Sequence, residues 1–103
     1  MNFEFNKNSG REQPIRFPLG QIVATPGALD LLDRTATNAL SLLQRHQHGD
    51  WGSVPEDDAR ANAEAVALGF RILSSYTLGD GERIWLITEA DRSVTTLLLP
   101  AEY

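Results

Sequence analysis

From residue 71 onward the hydrophobic pattern has a period of two. Ile72, Ser74, Tyr76 and Leu78 alternate with Arg71, Leu73, Ser75 and Thr77, and successive strand residues point to opposite faces of a sheet. Gly79-Asp80-Gly81 is a turn signal. Residues 84–88 read as a second strand and residues 94–99 as a third, closed by Pro100. Upstream the period is helical. Thr25 can cap a helix and Pro26 suits its first position; its inner face is Leu29, Leu32 and Ala28, and it ends near Arg34. Asn38 starts a second helix with a stripe of Leu40, Leu43 and Gln47, widened by Leu42, that stops at Gly49. Ser53 and Glu56 have capping-box spacing, with Pro55, Asp57 and Asp58 in the first turn of an Ala-rich third helix. That helix shows a narrow face of Ala59, Ala63, Val66 and Ala67 and stops at Gly69.

This order predicts an α+β domain over residues 21–103, with two or three N-terminal helices packed on one face of a C-terminal three-stranded antiparallel meander. Residues 22–24 can add a short strand. Residues 1–20 are expected to be a flexible or extended N-terminal arm, with Phe3 and Phe5 as an alternative edge strand.

A chain of 103 residues supports a single core. The net charge of −5 argues against bulk DNA binding, which relies on clustered Lys and Arg. Without cysteine there is no disulfide framework and no thiolate metal site. No apolar run approaches the roughly 20 residues that span a bilayer, and residues 1–13 lack the apolar segment of a secretory signal. The expectation is a cytoplasmic protein with no cofactor, no metal and no membrane contact; its oligomeric state stays open.

Three clusters can carry chemistry. In "RHQHGDWG", residues 45–52, His46 and His48 have the near-neutral pKa of a general acid or base. They equally suit the negative end of a helix dipole, with Trp51 tucked inward. Their spacing is wrong for two metal ligands on one helical face. On the first strand, Ser74 and Tyr76 share a face with Ile72, while Arg71 and Ser75 share the other. Either face can be a binding face or simply meet water. The third cluster is "TEADRS", residues 88–93, a connection without the Gly, Asn or Pro of an ordinary turn. Asp91 can close an Asx-turn and Glu89 can pair with Arg92, or that pair can present a carboxylate and a guanidinium to a ligand. Trp51, Ser93 and Thr95 are further binding candidates.

The stretches "ATPGAL" (24–29), "RHQHGDWG" (45–52), Asn62, "RILSSY" (71–76) and "WLITEADRSVTTLLLPAEY" (85–103) resemble a family of short proteins carried on bacterial plasmids and integrative elements. The resemblance implies a mobile-element context and brings no assigned activity. In layout alone, helices followed by an antiparallel sheet bearing His, Arg, Ser and Thr are similar to small ribonucleases of the barnase, RelE and colicin type. That similarity implies His46 or His48 and Glu89 as the acid–base pair and Arg71 or Arg92 as the phosphate ligand, with Tyr76 or Trp85 stacking a base.

Two functions follow as expectations. The first is a small accessory protein of a mobile element that binds a protein partner. The alternative is a metal-independent ribonuclease or toxin-like domain acting on RNA through His46, His48, Arg71 and residues 89–92. A sequence-specific nucleic-acid binder would need a basic face that this composition hardly supplies.

Overall fold

The computed structural model describes residues 14–103; the part of the expected arm covering residues 1–13, with Phe3 and Phe5, lies outside them. The elements are β1 (Gln21–Ala24), α1 (Pro26–Arg34), α2 (Ala39–Gln47), α3 (Glu56–Leu68), β2 (Ile72–Leu78), β3 (Glu82–Thr88), β4 (Val94–Leu98) and a terminal 3-10 turn, Pro100–Glu102. The fold is α+β, as the change of period predicts.

The helix starts follow their local chemistry. The Thr25 hydroxyl accepts the Ala28 N–H at 3.2 Å and Asn38 Oδ1 accepts the Leu40 N–H at 2.9 Å. α1 has a further cap from the far end of the chain. Glu102 Oε1 accepts the Thr25 hydroxyl at 2.5 Å and Oε2 accepts the Gly27 N–H at 3.0 Å. A carboxylate at a helix N-terminus opposes the positive end of the dipole, so these bonds tie the last turn to the first helix. α3 differs from its expectation. Its cap position is Pro55 with no side-chain bond, so the Ser53–Glu56 capping box does not form; Ser53 instead gives its N–H to the Ser75 carbonyl at 2.6 Å.

Among the described residues the sheet has four strands in the order β1-β4-β3-β2, so the expected three-stranded meander is extended by one strand. β2, β3 and β4 are antiparallel neighbours, and β1 pairs parallel to β4 with Gln21 opposite Val94 and Ala24 opposite Leu97. Among the described residues the partner of β1 is a parallel strand far away in sequence, which is why its own residues announce it so faintly. At the other edge, Asn62 of α3 grips β2: its Nδ2 donates to the Leu73 carbonyl at 2.7 Å and its Oδ1 accepts the Leu73 N–H at 3.2 Å. The Ser75 N–H meets the Trp51 carbonyl at 3.0 Å. A side chain and a loop therefore satisfy backbone groups that a further strand would otherwise use.

One sheet face buries Tyr76, Ile84, Leu86 and Leu97 against Ala28, Leu31 and Leu32 of α1 and Leu42 and Leu43 of α2. Leu29 and Leu40, expected inside, are 57% and 55% exposed. The helices are rotated so that Leu31 and His46 take the inner stripe. A second cluster of Phe17, Trp51, Ala65 and Ile72 joins α3 to β2. Phe17 is buried and the Arg16 N–H bonds to the Gln47 carbonyl at 2.9 Å. The packed domain thus reaches back past the expected boundary at residue 21.

Two glycines are fixed by close approach. At Gly52 (φ +76°) a Cβ would overlap the Ser75 carbonyl oxygen, and at Gly27 it would meet the Glu102 carboxylate at 2.5 Å. Backbone cannot yield, whereas the end of a glutamate can. Gly52→Ala should therefore cost at least about 2 kcal/mol in urea unfolding and Gly27→Ala only about 1 kcal/mol. Equal costs would show that neither contact sets the packing.

Candidate functional site

His46 lies in the last turn of α2 and is fully buried. Its Nδ1 is 2.6 Å from the Ser74 hydroxyl of β2 and its Nε2 is 2.9 Å from the Thr88 hydroxyl of β3. Thr88 in turn is 2.7 Å from the Thr95 hydroxyl of β4, which donates to the Leu19 carbonyl at 2.7 Å. The proton directions follow from that last acceptor. A carbonyl cannot donate, so Thr95 gives its proton to Leu19 and must accept from Thr88. Thr88 has then spent its own proton and must accept from His46 Nε2–H. Nδ1 is left bare and accepts from Ser74. One neutral tautomer satisfies every group, and burial lowers the His46 pKa to about 4.

The ring is boxed by aromatics. Phe17 meets it edge-on with centroids 5.1 Å apart, and Trp51 does so at 6.1 Å. The Arg92 guanidinium lies 5.7 Å from the centroid of the Phe17 ring. Arg92 also donates to the Phe70 carbonyl at 2.7 Å and the Ala65 carbonyl at 2.8 Å, beyond and within the end of α3. The expected Glu89–Arg92 ion pair is therefore not formed: this guanidinium serves carbonyl oxygens instead. Residues 89–92 close through the Arg92 N–H to the Glu89 carbonyl at 2.9 Å, and the Ser93 N–H meets Asp91 Oδ1 at 3.0 Å, the Asx-turn expected from the sequence. Asp91 is held below the usual carboxylate range by the Ser93 hydroxyl and N–H. Arg92 has φ +61°, a left-handed conformation that normally favours glycine. Its carbonyl and ring contacts compensate for that strain, so the turn has an arginine where a glycine would be usual.

The rest of "RHQHGDWG" also turns inward or back on itself. Arg45 Nε is 2.6 Å from Asp50 Oδ2, and its guanidinium lies 4.4 Å from the centroid of the Tyr76 ring. The Arg45 bond holds the Asp50 pKa below its ordinary value. The Tyr76 hydroxyl donates to the Asp50 carbonyl at 2.6 Å, and burial pushes its pKa up to about 12. Tyr76 is thus a core residue and offers no ring to a base. His48 donates from Nδ1 to the Gln44 carbonyl at 2.6 Å, closing the end of α2.

Arg71 and Trp85 belong to the other side of the sheet. By alternation Arg71 shares its face with Leu73 and Ser75, and Ser75 is the cross-strand partner of Trp85. There the Arg71 guanidinium donates to the Tyr103 hydroxyl, and the Tyr103 and Trp85 rings meet edge-on at 5.8 Å. The candidate residues therefore divide into four places. His46, Ser74, Tyr76, Thr95 and Trp51 form the interior; His48 closes the end of α2; Glu89, Arg92 and Ser93 form the hairpin connection; Arg71 and Trp85 sit under Tyr103. The meeting of His46 or His48, Arg71 and the 89–92 stretch in one cleft, which the ribonuclease alternative requires, does not occur. Among the described residues no group of three His, Asp or Glu side chains could hold a metal ion, and no helix is long and apolar enough to cross a membrane.

Sequence reasoning missed Leu19 and Glu102, and it read Thr88 as part of the hairpin connection rather than of the interior. Thr88 and Thr95 had a readable signal: parity places them inward with Leu86 and Leu97. Compared with known proteins, the chain matches no family model, no curated protein and no solved structure. Within the chain, residues 45–52, 71–76 and 85–103 meet around His46, and residues 24–29 meet Glu102.

Two outcomes follow. His46 binds its proton near 6.5 when unfolded and near 4 when folded, so the unfolded state takes up more protons between those values. Its contribution is intact above about pH 6.5 and falls away toward pH 4, by on the order of 3 kcal/mol. Urea midpoints across that range should show this slope, and His46→Gln should remove it. Thr95→Val keeps the shape but strands the Leu19 carbonyl; it should cost about 1–3 kcal/mol.

Proposed function

We propose that this chain is a small cytoplasmic accessory protein of a mobile genetic element that acts by binding a basic protein partner. The observation that carries the reading is how the charges are used. Arg34 is engaged by Asp30 and Glu82, Arg45 by Asp50, and Arg60 by Asp57. Arg71 is engaged by Tyr103 and Arg92 by backbone carbonyls. Glu56, Asp58 and Glu64 of α3 are exposed and make no ion pair among the described residues. Among the described residues five of the seven arginines are engaged in this way, Arg16 and Arg83 being the others, while acids stand open along one helix. Such a surface attracts a basic patch and repels a phosphate backbone. The mobile-element context rests on the stretches quoted above, and the interior position of His46 takes support away from the ribonuclease alternative.

The test is capture from host lysate with the full chain and with a Glu56→Gln, Asp58→Asn, Glu64→Gln triple variant. The variant should lose the partner, and the parent should lose it as salt approaches about 0.5 M. Equal capture by both proteins, insensitive to salt, would refute the electrostatic reading. RNA incubated with the protein in EDTA should stay intact; cleavage abolished by His46→Ala would restore the enzyme reading.

A further inference from the structure

We propose that the groove between α3 and β2 is the docking site for a basic segment of that partner, anchored by one arginine or lysine side chain. The inference rests on the binding role above and assigns it to one place. The groove, of about 300 Å³, is lined by Asp58, Ala61 and Asn62 of α3 and by Arg71 and Leu73 on the strand side. Positions 58, 61 and 62 fall on one side of the helix. Asn62 already bonds both backbone groups of Leu73, so it fixes the two walls rather than offering itself to a ligand.

The chemistry of the lining selects the occupant. Ala61 and half-buried Leu73 supply apolar surface. Asp58 is exposed, makes no ion pair among the described residues, and adjoins Glu56 and Asp57 in the first turn of α3. Arg71 is drawn aside, with its guanidinium bonded to the Tyr103 hydroxyl and 5.5 Å from the centroid of the Tyr103 ring. An aliphatic stem ending in a cation suits an apolar wall with a carboxylate at its rim. A nucleic-acid strand would bring the wrong charge. The small volume suits one long side chain, with the flanking peptide lying across the open mouth.

The test uses the full chain, 15N-labelled, titrated at low salt with the blocked pentapeptide acetyl-Gly-Leu-Arg-Leu-Gly-amide and its isosteric citrulline counterpart. The amides of Asp58, Ala61, Asn62 and Leu73 should shift with the arginine peptide, and citrulline should bind about tenfold more weakly. Asp58→Asn should weaken binding by a similar factor. Ala61→Phe, at an exposed helix position, should block the groove without unfolding the chain, and Asp33→Asn on α1 should change nothing. Salt-sensitive binding that Asp58→Asn and Ala61→Phe leave intact would overturn the groove while sparing the acidic-surface reading. No binding of the arginine peptide at low salt would overturn both.

Discussion

The buried chain of hydrogen bonds through His46 is the constraint on which the rest of the molecule depends. It takes one group each from β2, α2, β3 and β4 and ends on the Leu19 carbonyl. A buried polar group without a partner costs about 1–3 kcal/mol, so four side chains in this position are tolerable only if all are satisfied together. The carbonyl at one end gives the chain a single direction and fixes one tautomer of the histidine. That polarity specifies which strand lies under α2 and in which register, because a shift by one residue would turn Thr88 and Thr95 to the other face.

Around this line the rings of Phe17 and Trp51 cover the buried His46, and Arg92 extends the same structure to the end of α3. A second tie, from Glu102 to Thr25 and Gly27, closes the N-terminus of α1. His46, Ser74 and Arg92, which look like equipment for catalysis when read singly, act in the assembled fold as fasteners of a small core. The surface is then left to other residues. Acids line α3, and the groove beside β2 combines apolar walls with the Asp58 carboxylate, unpaired among the described residues.

The sequence revealed what local chemistry decides. Thr25 and Asn38 cap as their residue types require, Gly79-Asp80-Gly81 turns the chain, and alternation places β2, β3 and β4 within a residue or two. It concealed what distant contacts decide. β1 exists because of Val94–Leu97, some seventy residues away, and no pattern within Gln21–Ala24 announces that pairing. Leu29 and Leu40 fit an amphipathic stripe as well as Leu31 and Leu42 do, and only the approach of the sheet chooses between them. His46 stands four residues after Leu42 and three after Leu43, hence on their stripe, which was a readable sign that it faces the core. Arg92 was legible as an unusual turn residue, although its carbonyl partners at Ala65 and Phe70 were not.

The central claim is that His46 is a neutral structural residue in one tautomer, and nitrogen-detected NMR of its ring tests that claim directly. The account predicts a protonated Nε2 and a bare Nδ1, with ring shifts unchanged from neutral pH down to about pH 5. A proton on Nδ1, or a titration centred near the ordinary value of 6.5, would contradict it and return His46 to the list of groups open to solvent chemistry.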